Sequence, residues 1–369
     1  MIYFDHNATT PLDERVLEAM MPFLSTFYGN PSSLYRQGRL TRSAIDNARE
    51  QVAALIDAPA SQIIFTSGGT EANNLALATL TTHDRLAIST TEHPSIIESA
   101  VSLQKQGIKL SHINIDNHGL ITKDELDKVT NDPPSLASIM FANNETGVIQ
   151  DIATITQQLR ANDVKVHTDA VQALGKIPIS FKQLAVHLMS LSSHKIYGPK
   201  GCGALVYEKG LKINPLLIGG GQEHGFRAGT ENVAAIVGFG KAAELAKFEL
   251  IERSTKLLAL RSQLEVALKT IPNISIFADE SERLPNTILC GIPQVDGEML
   301  LMKLDKKGYA VSSGSACASG GNEPSPVLIA MGIEPTLAKS AIRISLGLSN
   351  TQNEITNFIL QLKTLVYQA

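Results

Sequence analysis

The sequence predicts an α/β protein built on a largely parallel β-sheet with helices on both faces. Three observations lead there. Short apolar runs with strand character recur through the first half of the chain. Helical or loop segments separate several of them. A long helical stretch then precedes shorter strand candidates and a closing helix.

The elements follow in order. Residues 37–56 read as an amphipathic helix, with Ile45, Ala48, Val52 and Leu55 on one face. Residues 62–67 (QIIFTS) read as a short buried strand that runs through Gly68-Gly69-Thr70 into a helix at 71–80. Further strands are expected at 86–89, 138–142, 164–168, 187–191 and 204–207. From Glu231 to about Thr270 the pattern is helical, and Gly238 and Gly240 mark a kink or a junction of two helices. A strand at 286–290 follows, and the closing helix stacks Ile355, Phe358, Leu362 and Leu365. A domain boundary is expected near the long helical stretch.

Composition narrows the function. The chain has 369 residues, 43% of them hydrophobic, so it can bury a sizeable core. The formal charge of −4 argues against nucleic-acid or membrane binding driven by bulk charge. No apolar run approaches the ~20 residues needed to span a bilayer. The start, MIYFDHNATTP, lacks the basic and apolar regions of a secretory signal. The three cysteines, Cys202, Cys290 and Cys317, match neither a zinc-site spacing nor a CxxC pair. A reduced, cytoplasmic protein without a metal centre is the expectation.

Several segments carry chemistry. Lys195 sits in SSHKIYGPKG (192–201), just beyond a strand and among small residues. In a crevice, desolvation would lower its pKa and make the amine nucleophilic toward an aldehyde; the ordinary alternative is a solvated surface lysine. At Gly68-Gly69-Thr70 a strand enters a helix, where bare backbone N–H groups suit a phosphate, although a tight turn has the same sequence. Asp169 ends a strand, at the edge where ligands bind an open sheet; it would keep a pyridine nitrogen protonated, or simply cap a helix. His93 and Asn144 also fall at strand ends, and each has an ordinary reading, as a capping histidine and a turn residue. Together these parts match the needs of pyridoxal phosphate: an anion hole, a pyridinium partner, a ring-stacking group and an amine.

In its motifs the chain resembles the cysteine desulfurases of the NifS/IscS type, within the class-V aminotransferases and fold-type I pyridoxal-phosphate enzymes. The resemblance runs nearly end to end: YFDHNATTP (3–11), GNPSS (29–33), SGGTEANN (67–74), TEHPS (91–95), NNETGVIQDI (143–152), HTDAVQ (167–172), SSHKIYGPKG (192–201), RAGTEN (227–232) and SSGSACASG (312–320). It implies a large domain over residues 16–250 with a mostly parallel, seven-stranded sheet between helices. It also implies a smaller α+β domain from residues 1–15 and 251–369 that carries the cysteine segment.

The same resemblance implies roles by position. Lys195 is the lysine that links to the cofactor aldehyde, Asp169 the pyridinium partner and Gln172 the neighbour of the ring hydroxyl. His93 is the ring-stacking histidine and an acid or base. Gly69, Thr70, Ser192 and His194 match phosphate ligands. Thr230 matches a phosphate ligand lent by the other subunit of a homodimer, with Arg227 near it. Asn144 matches a cofactor and substrate contact, and Arg343 an arginine that clamps the substrate carboxylate.

Cys317 lies in SSGSACASGG (312–321), which has almost no apolar bulk and is expected to form an exposed loop. Cys202 and Cys290 lie beside or within apolar strands and read as structural. The implied reaction takes sulfur from L-cysteine, leaves L-alanine, and holds the sulfur as a persulfide on Cys317 for a sulfur-acceptor protein in iron–sulfur cluster assembly or nucleic-acid thiolation. A selenocysteine lyase, or another lyase of the same fold, is the alternative. The chain departs from the family pattern at Leu34-Tyr35, where a histidine is usual, and at Leu348, where arginine is common.

Overall fold

The computed structural model describes residues 1–313 and 323–367. Among them, the strands form three sheets. The chain opens with β1 (Ile2–Tyr3). The large sheet follows: β2 (Ile63–Thr66), β3 (Arg85–Ser89), β4 (Lys109–Ile113), β5 (Leu136–Ser138), β6 (Lys165–Asp169), β7 (Leu188–Ser192) and β8 (Gly203–Tyr207). Their spatial order is β2-β8-β7-β6-β5-β3-β4. Only β8 runs against its neighbours, β2 and β7; the remaining pairs are parallel. This is the mostly parallel seven-stranded sheet that the sequence and its resemblance predict.

Helices cover both faces, so β2 and β7 are buried at every position, as continuous apolar runs require. On one face Ile45, Val52 and Phe239 pack against Phe65, Val166, Met189 and Leu191. On the other, Leu75, Ala76 and Ile96 pack against Ile64, Ile88, Leu136 and Leu205. Strand β4 was not expected. It is an edge strand with mostly exposed side chains, KLSHI, so it has no apolar run to betray it.

The expected junction of two helices does not occur. Val233–Leu268 is one continuous helix of 36 residues. Its glycines serve packing instead. A Cβ at Gly240 would lie 2.6 Å from Ala48 Cα, and one at Gly238 would lie 2.6 Å from Met20 Sδ. The two glycines let the helices Glu14–Ser25 and Arg36–Leu55 press against this one. The same long helix leaves the first core through Phe239, Ala243 and Ala246 and enters a second through Leu257, Leu260, Leu264 and Leu268.

That second core lies against a small sheet. Here β9 (Ser275–Ile276), β10 (Thr287–Gly291), β12 (Ser312–Ser313) and β13 (Ile342–Ser345) pair antiparallel in the order β12-β13-β10-β9. The closing helix Gln352–Tyr367 buries Ile355, Phe358, Leu362 and Leu365 against it. The start of the chain joins this part: β1 pairs parallel with β11 (Tyr309–Ala310), Phe4 enters the second core, and Asp5 bridges to Ser345.

Candidate active site

Strand direction decides where the chemistry gathers. Because β8 alone is reversed, the carboxyl ends of β2, β3, β5, β6 and β7 face one edge of the sheet. The strand ends and the segments just after them carry Gly69, His93, Asn144, Asp169 and Lys195 to that edge. These residues line one cavity of about 330 Å³, together with Asn7, Ala8, Thr70, Asn73, Ser95, Met140, Val171, Gln172, Ser192, His194 and Arg343.

The sequence-predicted residues that line the cavity have definite places. Gly69 and Thr70 open the helix Gly69–Leu77 at the cavity wall. A Cβ at Gly69 would sit 3.0 Å from Val171 Cγ2, so glycine keeps this floor low. The Ser192 hydroxyl is buried and has no partner among the described residues. His194 Nδ1 lies 3.1 Å from Thr9 Oγ1, and burial pushes its pKa down to about 4. A helix N-terminus, an orphaned hydroxyl and a neutral imidazole form a cradle for a phosphate.

Asp169 ends β6 with both oxygens engaged. Oδ1 accepts the Val171 N–H at 2.9 Å and Oδ2 accepts Asn73 Nδ2 at 2.7 Å. Lys195 sits in a short turn after β7, and its Nζ reaches the carbonyls of Asn7 and, at 2.8 Å, Ala8. The start of the chain therefore grips this turn. Thr10 Oγ1 donates to the His194 carbonyl at 2.9 Å and accepts the Tyr197 N–H at 2.9 Å. Gln172 is held at both ends of its amide: Nε2 donates to the Asn7 carbonyl (3.0 Å) and Oε1 accepts Lys176 Nζ (2.9 Å). Arg343 donates to the Asn144 carbonyl (3.0 Å) and to Asp5 Oδ1 (2.8 Å). His93 caps the helix Pro94–Lys105, and burial first, then Lys195, lowers its pKa against the opposing charge of Asp169.

Thr230 is exposed and does not line the cavity of its own chain. Arg227 is paired with Glu71 at 2.9 Å. Cys317 lies outside the described residues. Cys202 and Cys290 are buried, and burial raises both thiol pKa values, that of Cys290 to about 12. Leu34 and Tyr35 are exposed, whereas Leu348 packs against the second core and donates its N–H to the Tyr197 hydroxyl at 2.8 Å.

Residue-by-residue reading missed Asn7, Asn73, Ser95, Met140, Val171 and Lys176. Asn7 is a junction: Oδ1 accepts Lys176 Nζ (3.0 Å) and Asn286 Nδ2 (3.0 Å), and Nδ2 donates to Thr287 (2.8 Å). Lys176 is buried, and desolvation first, then the charges of Lys195 and Arg343, drive its pKa well below the ordinary lysine value. The available signal was positional. Asn7 lies in YFDHNATTP and Asn73 in SGGTEANN, segments that carry the resemblance without an assigned role.

The residues fit pyridoxal phosphate. The phosphate matches the Gly69–Thr70 helix end and the unpartnered Ser192 hydroxyl, the ring nitrogen matches the Asp169 carboxylate, and the aldehyde matches Lys195. Fold and cavity together thus define a fold-type I pyridoxal-phosphate-dependent enzyme. Comparison with known proteins agrees. The chain belongs to the class-V aminotransferase family, whose model matches residues 2–358. It is 44% identical over 360 residues to a cysteine desulfurase IscS of Dictyoglomus turgidum, covering 96% of this chain and 91% of the relative. Among solved structures it is similar to a NifS-like protein, with a TM-score of 0.93 and 37% identity over the whole of both chains. It is also similar to SspA in complex with cysteine, with a TM-score of 0.83 and 31% identity over 95% of this chain and all of that one.

Proposed function

We propose that this chain is a cysteine desulfurase that divides its chemistry between Lys195 and Cys317. The observation that carries the reading is the meeting of Lys195, Asp169, His93 and Arg343 at one cavity. Pyridoxal phosphate, when bound, supplies an aldehyde for amine linkage and an electron sink for the pair left behind by a departing α-proton.

The protein's part is binding and proton management. Gly69, Thr70, Ser192 and His194 hold the phosphate end. Asp169 keeps a proton on the ring nitrogen, and Gln172 stands by the ring hydroxyl. Arg343 takes the carboxylate of L-cysteine in its guanidinium fork, with Asn144 beside it. Lys195 Nζ removes the substrate α-proton and carries it locally.

Cys317 takes the sulfur. Its thiolate attacks the substrate sulfur, an S–S bond forms, and the Cβ–S bond breaks. The electron pair of that bond stays on the substrate side, where protonation at Cβ completes L-alanine. The persulfide on Cys317 then passes to an acceptor protein, an iron–sulfur scaffold or a thiolation enzyme, in the cytoplasm. The enzyme works as a homodimer in which the exposed Thr230 serves the partner subunit's phosphate site, within a large domain over 16–250 and a small one from 1–15 and 251–369.

The test is to supply L-cysteine and, separately, L-selenocysteine, and to measure alanine and protein-bound persulfide. Alanine with stoichiometric persulfide from cysteine supports the reading. Turnover restricted to selenocysteine replaces it with a selenocysteine lyase.

A further inference from the structure

His93 begins the helix Pro94–Lys105, and its own ring caps that helix. Nδ1 lies 3.1 Å from the Ser95 backbone nitrogen and 2.8 Å from Ser95 Oγ. Ser95 Oγ in turn lies 2.8 Å from Asn73 Nδ2, and the same Nδ2 lies 2.7 Å from Asp169 Oδ2. A continuous path of short hydrogen bonds therefore joins the histidine and the aspartate of the cavity.

Proton counting orients every bond in the path. Asn73 Nδ2 has two protons and two neighbours, so one goes to Asp169 and one to Ser95 Oγ. A flipped amide would set its oxygen against a carboxylate oxygen at 2.7 Å, two acceptors in contact. Asn73 Oδ1 is left buried without a partner among the described residues in this orientation, a cost that the placement of Nδ2 must outweigh. Ser95 Oγ has accepted from Asn73, so its own proton is directed to His93 Nδ1. The Ser95 backbone N–H points there too. Two donors converge on Nδ1, which leaves no room for a proton on it. A neutral His93 must then carry its proton on Nε2, the ring nitrogen with no partner among the described residues.

From this wiring we infer that Ser95 and Asn73 are positioning residues that lock His93 as a neutral Nε2–H donor toward the bound substrate. His93 is then not a base. Nε2 already holds a proton, and protonating Nδ1 would break the helix cap and turn both Ser95 donors against a third. A neutral imidazole that donates without ionising stabilises negative charge as it builds up in its neighbour. Alpha-proton removal is left to Lys195. Asn73 contributes twice, because the amide that orients Ser95 also fixes Asp169 Oδ2. The inference rests on the functional reading above only for the identity of the substrate.

The decisive experiment is nitrogen NMR of histidine-labelled holoenzyme and of the same protein with the cofactor removed, with His93→Gln used to assign the signal. The expected result is a single tautomer near neutral pH in both forms, with Nδ1 unprotonated and Nε2 protonated. Ser95→Ala should populate the other tautomer and lower kcat for alanine release about tenfold with KM little changed. Ser95→Thr, which restores a hydroxyl, should recover both. A proton on Nδ1 of the wild type, or unchanged tautomer populations in Ser95→Ala, would overturn the inference. Should the wild type release no alanine from cysteine, the functional reading fails while the tautomer measurement still decides this one.

Discussion

Asp5 Oδ1 accepts a 2.8 Å hydrogen bond from Arg343 Nη2, in an ion pair whose arginine side chain is only 4% exposed. The second arm of the same fork, Nη1, is tied to the Asn144 carbonyl at 3.0 Å. The first residues of the chain therefore aim an arginine from β13 into a cavity built largely by another sheet. Asp5→Asn should loosen that aim and raise KM for L-cysteine on the order of tenfold, in line with the loss of one charge-assisted bond. Cofactor content should stay normal. Cysteine titrations of alanine release check this, and an unchanged KM counts against Arg343 as the carboxylate clamp.

Lys195→Ala should abolish covalent attachment of the cofactor. Its Nζ lies at the cavity beside the Asn7 and Ala8 carbonyls. Wild-type protein should be yellow, and borohydride should fix the cofactor to it. A variant that still fixes cofactor covalently would show that another amine, such as Lys176, makes the link.

The three cysteines should separate cleanly. Cys317→Ser should keep bound cofactor but lose persulfide and nearly all alanine release, since a hydroxyl is a far weaker nucleophile toward sulfur than a thiolate. Cys202→Ser and Cys290→Ser should keep turnover, because burial holds both thiols protonated. They should lose at most ~1–3 kcal/mol of stability. Near-normal turnover in Cys317→Ser would mean that the sulfur is carried elsewhere.

Glu92 makes stability fall with rising pH. Burial first, then the negative charge of Asp169, lifts its pKa from 4.5 to about 8, against hydrogen bonds from the Met140 N–H and Ser138. Between those two values the folded chain holds a proton that the unfolded chain has released. Raising pH across this window therefore favours unfolding, and the effect levels off above it. Glu92→Gln cannot ionise. Its unfolding free energy, read from denaturant melts, should gain on that of the wild type between pH about 5 and about 8, by an amount on the order of a few kcal/mol at most. A difference that is constant with pH would refute this.

Gly347 and His6 cannot both carry full side chains. A Cβ at residue 347 would fall 2.1 Å from His6 Cε1. The His6 ring is buried and packs edge-on against Tyr3 at 4.9 Å. Gly347→Ala should destabilise by ~1–3 kcal/mol, and adding His6→Ala should recover part of that loss in a double-mutant cycle. Strict additivity of the two changes would show that the ring does not set the limit.

Much was legible without coordinates because it lives in local pattern. Alternating apolar runs and amphipathic stretches announce buried strands and covering helices, and the elements around Phe65, Asp169 and Leu191 lie within a residue or two of where the pattern puts them. The family resemblance put Lys195, His93, Asn144, Asp169, Gln172 and Arg343 at one site, and all six line the same cavity. Strand β4 escaped because an exposed edge needs no apolar face.

Only the tertiary structure decided the rest, and in each case the reason is distance along the chain. Gly238 and Gly240 look like helix breakers until Met20 and Ala48, about two hundred residues earlier in the sequence, are seen pressed against them. Asn7 has no evident role until it is found between Lys176 and Asn286. Asn73 and Ser95 are ordinary helix residues until their helices bring them within 2.8 Å, where the proton order of the path to His93 is set. Sequence alone thus determined the sheet, its helices and the chemical groups at its carboxyl edge. The partner of each group was settled by packing, because a hydrogen bond between distant segments leaves no periodic trace in either one.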